Sequence, residues 1–515
     1  LACVKSGNTS RGHRFLSTGD FTIQDAAHYE EACEKAFVIV DPARRKALIE
    51  QGLAEEAKAH GGTAEITPDL LEEVLYLVEY PTALAGRFEE KYLALPPEAV
   101  ITPMRDHQRY FPVKAADGSL MPLFLTVRNG GAEHLQTVQH GNERVLRARL
   151  ADAQFFFDED RKKSLEEHLE KLKTVVFQEG LGTLYDKSLR LEELAGRIAD
   201  ALGASAAEKK AAQRAAKLAK ADLVTGMVME FTELQGVMGK EYARLDGEGE
   251  EVALAIDEHY MPRFAGDELP QTKAGIIVSL ADKMDNIVAT FSRGLIPTGS
   301  QDPFALRRQA LGLVNSIIKA ELSLSLVDLV SWAMDLLALK ETKAREKMQT
   351  DVADFMRLRL KNVLGEAGIR YDVADAVLGD IDDIGRVMLA AKAVQEQLSA
   401  PDTAKAVQSF VRAANLAAKA ETAEIDESLF ETDEERELMK AYTSAKSAAE
   451  SLLEAHDYVG AIDDFKDLAD PIDTFFDGVM VMADDVVVRR NRLALLKAID
   501  NLLLQVADFS KIVQG

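Results

Sequence analysis

Two aspartates in the middle of the chain stand where metal chemistry could be built. Asp222 follows Lys220-Ala221 and Asp282 lies in Ala281-Asp-Lys283, with His259 the one imidazole between about residues 170 and 320. All-helical metal-dependent phosphohydrolases need a histidine, an adjacent His-Asp pair and a later aspartate to hold their ions. Here the residue before Asp222 is alanine, and two carboxylates with one distant imidazole make a poor donor set for a transition ion. The expectation is a non-catalytic helical scaffold that holds no metal, with His259 a surface or packing residue.

Other chemistries leave signatures that are missing. There is no Gly-x-x-x-x-Gly-Lys-Ser/Thr loop to cradle phosphates, no Gly-x-Gly-x-x-Gly, no Gly-x-Ser-x-Gly elbow and no His-Glu-x-x-His. No Cys-x-x-Cys supplies thiolates for zinc. No catalytic residue is assigned.

What remains is local positive charge in an acidic chain. The formal net charge is −25, which repels nucleic acid as a whole, so any contact with RNA must come from patches where Lys and Arg prevail. Such patches are Arg11-Gly-His-Arg-Phe15, Arg105–Phe111, Arg144–Arg149, Arg161–Lys163, Arg307-Arg308 and Arg489-Arg-Asn-Arg492. For any one of them the favoured reading is a solvated helix face or a helix C-terminus that attracts cations. The last is the most informative: helical spacing puts Arg489 and Arg492 on one side, able to grip a phosphate or a base edge together, while Leu493 and Leu496 pack inward. Arginine suits unpaired RNA, since its plane stacks on bases and its fork donates paired hydrogen bonds.

The elements that must position these groups fall into two textures. Up to about residue 165, Phe37–Val40 and Leu123–Val127 read as strands, and Pro42–His60 and Pro68–Val78 as helices. In the second helix Leu70, Leu71, Val74, Leu75 and Val78 share a face away from Glu72, Glu73 and Glu79. Beyond residue 165, long periodic runs of Ala, Leu, Glu and Lys predict helix nearly throughout, with breaks at Gly180-Leu-Gly182, Gly203, Asp246–Gly249, Pro262–Pro270 and Pro297–Pro303. Asp302 and Pro303 read as the N-cap and first turn of a helix. The fold class is α+β, a mixed α/β N-terminal region followed by predominantly α-helical domains. The 515 residues, 47% hydrophobic and 29% charged, suffice for several domains. They divide as a mixed α/β region at 1–170, a helical domain at 171–320, a helical linker at 321–400 and a helical domain at 401–515. No apolar run approaches the ~20 residues that span a bilayer. Two cysteines, Cys3 and Cys33, suit a reducing, cytoplasmic setting.

Several long strings then carry a family resemblance. Val176-Phe-Gln-Glu-Gly-Leu-Gly-Thr-Leu-Tyr-Asp-Lys187, Asp222–Gly239, Tyr260-Met-Pro-Arg-Phe-Ala-Gly-Asp267, Ala281-Asp-Lys-Met-Asp285 and Asp302-Pro-Phe-Ala-Leu-Arg-Arg308 closely resemble the bacterial glycyl-tRNA synthetase beta subunit. So do Arg11–Phe15, Gln108–Val113 and Val479–Leu493, so the likeness runs in order over essentially the whole chain.

The resemblance implies a heterotetramer of two alpha and two beta chains that joins glycine to tRNA(Gly) using ATP. It places ATP, Mg2+ and adenylate formation on the alpha subunit and tRNA positioning on this chain, inactive alone. It further implies that about 170 residues precede Leu1, that 171–320 is an HD-type domain degenerate at Asp222 and Asp282, and that 401–515 is an anticodon-binding domain. In that domain Arg412, Asn415, Arg489, Arg490, Asn491 and Arg492 are the expected tRNA-binding residues. The competing functions are an HD-type metal phosphohydrolase and a purely structural scaffold.

Overall fold

The computed structural model describes residues 7–379 and 381–513; Cys3 lies outside them. The chain packs as two compact units, residues 1–175 with 218–253, and residues 176–217 with 254–515. The span 171–320 is thereby shared between the two.

In the first unit a short hairpin pairs β1 (Thr9–Arg11) with β2 (Asp20–Thr22). A four-stranded antiparallel sheet follows, in the order β3 (Thr63–Ala64), β5 (Phe111–Lys114), β6 (Leu120–Asn129), β4 (Pro81–Arg87). The predicted strand at 123–127 lies inside β6, which pairs with β4 from Pro81 opposite Asn129 to Arg87 opposite Leu123. Helix α1 (Pro42–Ala59) starts where Asp41 accepts a hydrogen bond from Ala43 N and Pro42 takes the first turn. Helix α2 (Pro68–Leu77) buries Leu70, Leu71, Val74 and Leu75, the face read from their spacing. With Ile49, Leu53 and Ala57 of α1 they cover Ala85, Phe111, Val113, Leu123 and Leu125 of the sheet. Each Ile, Leu, Val or Phe side chain so removed from water contributes about 1.5–3 kcal/mol. A long helix, α3 (Leu135–Asp160), follows the sheet.

The predicted strand at Phe37–Val40 does not form. Phe37 adopts a left-handed backbone, φ 62°, which no strand tolerates. Val38 N then donates to Cys33 O and Ile39 N to Glu79 O, so the segment is a linker that turns into α1.

The second unit is helical. Helix α4 (Leu184–Ala201) opens with a capping box in which Thr183 and Asp186 satisfy each other's backbone donors. It packs on α5 (Lys273–Ser292), which is buried on almost every side and forms the centre of this region. Against α5 lie α6 (Leu306–Lys319) and α7 (Thr342–Glu366). Helix α6 begins later than Asp302-Pro303 suggested, because Ala305 is left-handed (φ 52°). Asp302 still caps it from outside, accepting from Leu306 N at 2.8 Å and Arg307 N at 2.9 Å. Arg307 and Arg308 therefore sit in the first turn. The C-terminal bundle contains α8 (Pro401–Ala417), α9 (Asp433–Glu454), α10 (Ala469–Gly478) and α11 (Val486–Leu503). Helix α11 runs through its middle, with Leu493, Leu495, Leu496 and Ile499 buried. Among the described residues no helix is long and apolar enough to cross a membrane.

Candidate nucleic-acid interface

The six expected tRNA-binding residues divide by burial. On α8, Arg412 is exposed; its guanidinium pairs with Asp473 of α10 at 2.9 Å and lies 4.6 Å from the Phe476 ring centroid. Asn415, three residues on, is also exposed. On α11, Arg490 points to solvent with a 3.8 Å pairing to exposed Glu421, a contact that contributes little. Arg489 is half-buried and donates to Ala483 O at 3.1 Å, holding the segment before the helix.

Asn491 and Arg492 turn inward, which corrects the expectation that Arg489 and Arg492 grip RNA together. The Asn491 amide accepts from Asp426 N at 2.8 Å and donates to Asp426 O at 2.9 Å, fastening the segment before α9. Arg492 donates to Glu435 at 2.8 Å, Glu431 at 2.9 Å and Met480 O at 3.1 Å. Glu435 is itself fully buried and accepts from Glu431 N and Thr432 N, closing the start of α9. Burial alone would raise its pKa, but the Arg492 hydrogen bond and those two backbone donors hold it below the usual range. Helical spacing was sound for Leu493 and Leu496. The error lay in reading Arg489 and Arg492 as one solvent face on a helix whose polar positions also meet neighbours.

A further part of this surface lies outside the expected residues. Between α10 and α11, Val479 and Val481 are buried while Met480 is 75% and Met482 46% exposed, and Val486 and Val487 are exposed beside the arginines. Four consecutive apolar residues carry no apolar/polar alternation, so the sequence does not show which of them face outward.

The residues considered as degenerate metal positions each have partners within their own unit. In the second, the buried Lys187 ammonium lies 2.9 Å from Asp282 Oδ1, 2.8 Å from Asp285 Oδ2 and 3.0 Å from Asn286 Oδ1. Arg190 adds a fork to Asp285 at 2.7 and 3.2 Å. Burial would raise the Asp285 pKa, yet Lys187 and Arg190 hold it below the usual carboxylate range. A protein cation thus stands among these carboxylates, a donor set that does not fit a divalent ion. His259 is fully buried and donates from Nδ1 to Ile256 O at 2.6 Å. Among the described residues no three His, Cys, Asp or Glu side chains converge as metal ligands.

In the first unit Asp222 is fully buried, and its Oδ2 accepts from Gly236 N at 2.6 Å and Gly239 N at 3.1 Å. Burial pushes its pKa up to about 6, against the pull of those donors and of Lys220. A carboxyl raised in the folded state stabilises fully below its unfolded pKa of 3.8 and loses that contribution as pH rises through 6. Asp222→Asn keeps an acceptor for both glycines but cannot ionise. The variant should therefore gain on the parent by about 3 kcal/mol between pH 4 and 7. Parallel urea-melt stabilities across that range would show that Asp222 does not titrate with folding.

Comparison with known proteins agrees with this architecture. A family model described as "Glycyl-tRNA synthetase beta subunit" matches residues 1–379, and one described as "DALR anticodon binding domain" matches residues 407–510. The chain is 47% identical over 514 residues to the "Glycine--tRNA ligase beta subunit" of Clostridioides difficile (strain 630), covering 100% of this chain and 74% of that protein. It is 47% identical over 518 residues to the protein of the same name from Desulforamulus reducens, with the same coverage. Against that of Moorella thermoacetica it is 47% identical over 523 residues, covering 100% and 75%. By the reach of these matches and the helical module at its end, the chain belongs to the glycyl-tRNA synthetase beta-subunit family.

Proposed function

We propose that this chain recognises and positions tRNA(Gly) for an alpha-subunit partner that joins glycine to it, as the beta component of glycine–tRNA ligase in the cytoplasm. The observation that carries the reading is the anticodon-binding module at 407–510, whose helices α8 and α11 present Arg412, Asn415 and Arg490 outward. ATP and Mg2+ belong to the alpha chain in this reading, and two chains of each kind make the enzyme. Contacts at the anticodon would hold the tRNA so that its acceptor end reaches the partner's active site. Binding energy gained at a distance then becomes orientation at the reacting carbonyl. The Lys187 ammonium among Asp282 and Asp285 speaks against the phosphohydrolase alternative.

The test is binding of tRNA(Gly) transcripts with native and exchanged anticodons across a salt series, with and without the alpha chain. The exchange should cost about 1–3 kcal/mol, the value of a good base contact. Equal affinity for both transcripts in both settings would overturn the anticodon role. Arg412→Ala with Arg490→Ala should weaken tRNA(Gly) binding five-fold or more and flatten its salt dependence, while the melting temperature holds. An unchanged affinity and salt slope would release those two arginines from the interface.

A further inference from the structure

The Arg11-Gly-His-Arg-Phe15 loop of the first unit is unexplained by anything above. His13 is 1% exposed, whereas Phe15 is 81% exposed and Arg11 and Arg14 point to solvent. The loop is rigidly built. Asn129 Oδ1 accepts from Glu79 N and Tyr80 N, so it must also accept from His13 Nε2, 3.0 Å away. That leaves His13 Nδ1 to accept from Phe15 N at 3.2 Å and Leu16 N at 3.3 Å. His13 N donates to Ala36 O at 2.8 Å, and a Cβ on Gly12 would come within 2.5 Å of that same oxygen. Only glycine fits there.

The anchors tie the loop to a segment that carries a second aromatic group. Ala36 leads directly into Phe37, held in its left-handed backbone and 36% exposed, with its ring edge-on to Tyr80 at 5.4 Å. Strained non-glycine backbone of this kind persists where surrounding structure enforces it and gathers at binding sites. The Arg14 guanidinium lies 5.6 Å from the Phe15 centroid, and among the described residues no carboxylate pairs with it. Arg11 has one pairing, to Asp20, with both side chains more than half exposed.

We propose that this loop is a second RNA-binding site, taking an unpaired nucleotide of the tRNA whose base stacks on Phe15 and whose phosphates meet Arg14 and Arg11. The inference rests on the tRNA-recognition reading. A projecting aromatic ring beside Arg14, which no carboxylate of the described residues neutralises, and Arg11, whose one pairing is exposed, is the chemistry that binds single-stranded nucleic acid without reading its sequence. A protein partner would more often call for an apolar pocket around the ring, and here its chain neighbours are cationic or polar apart from Leu16. The positive charge also runs against the −25 of the chain, as phosphate binding requires.

The test compares Phe15→Ala, Phe15→Trp and Arg14→Ala in the full chain, alone and with the alpha subunit, by filter binding of tRNA(Gly) across a salt series. Phe15→Ala should weaken binding about ten-fold or more with the salt slope kept, and Phe15→Trp should restore it. Arg14→Ala should lower the slope by about one. Competition by a single-stranded RNA hexamer should exceed that by a duplex of equal length and vanish in Phe15→Ala. If tRNA binds the parent and all three variants alike, the site is refuted while the anticodon reading stands. If Phe15→Ala instead releases the alpha chain with tRNA affinity intact, the loop is a protein interface. If the parent binds no tRNA in either setting, both readings fall together.

Discussion

Replacing Asp285 by alanine should cost the helical region around α5 about 3–5 kcal/mol at the least, the usual loss when one member of a buried ion pair is removed. Asp285 is 1% exposed and neutralises two cations, Lys187 and Arg190, that are themselves buried. Without it Arg190 loses the fork it makes and Lys187 keeps only Asp282 and Asn286. Asp285→Asn retains acceptor capacity and should fall between parent and alanine variant. Because the folded carboxyl lies below its ordinary 3.8, its contribution is present above that pH and is lost as pH falls through the folded value. The Asn variant should therefore lack the last acid-side loss of stability that the parent shows. Urea melts within 1 kcal/mol of the parent at neutral pH would mean that the network is not required for stability.

Arg492→Ala should destabilise the C-terminal bundle on a similar scale, about 3–5 kcal/mol, and for the mirror-image reason. It strands a carboxylate: Glu435 is fully buried and its charge answers Arg492. Pairing Arg492→Met with Glu435→Gln removes both charges and should recover much of the loss, since the Gln oxygen can still serve Glu431 N and Thr432 N. A double variant no better than Arg492→Ala would show that packing, and not the stranded charge, sets the cost. Any loss of tRNA binding in Arg492→Ala alone would follow from this disruption and would say nothing about contact. Arg412 and Arg490, whose pairings are exposed, are the positions at which affinity can be altered with the fold intact.

Much of this was legible in the sequence wherever one physical rule acted alone. The apolar stripe of α2 and the breaks at Gly180-Leu-Gly182, Gly203 and Asp246–Gly249 appear where spacing and glycine placed them. The long strings that resemble the family were legible too, and the chain-long matches agree with them. What failed required tertiary knowledge. Phe37–Val40 has strand-like residues, but its backbone donors go to Cys33 and Glu79, which a linear reading cannot see. Arg492 looks like a surface cation until Glu435, 57 residues earlier, is found opposite it. Asp282 reads as a remnant metal ligand in the linear sequence, where nothing pairs it with its actual neighbour Lys187.

The interleaving of the two units has a consequence for synthesis on the ribosome. Asp160, 6% exposed in the finished first unit, accepts from Gly226 N, Met227 N and the Tyr242 hydroxyl. Those donors are translated 66 to 82 residues after it. At bacterial elongation rates the carboxylate waits roughly 4–16 s for them. Until residue 253 emerges, the nascent first unit lacks part of its own interior. A genetic cut at residue 175 would make that wait permanent, so the excised piece should be held by chaperones or degraded, whereas release after residue 253 supplies the donors that Asp160 lacks.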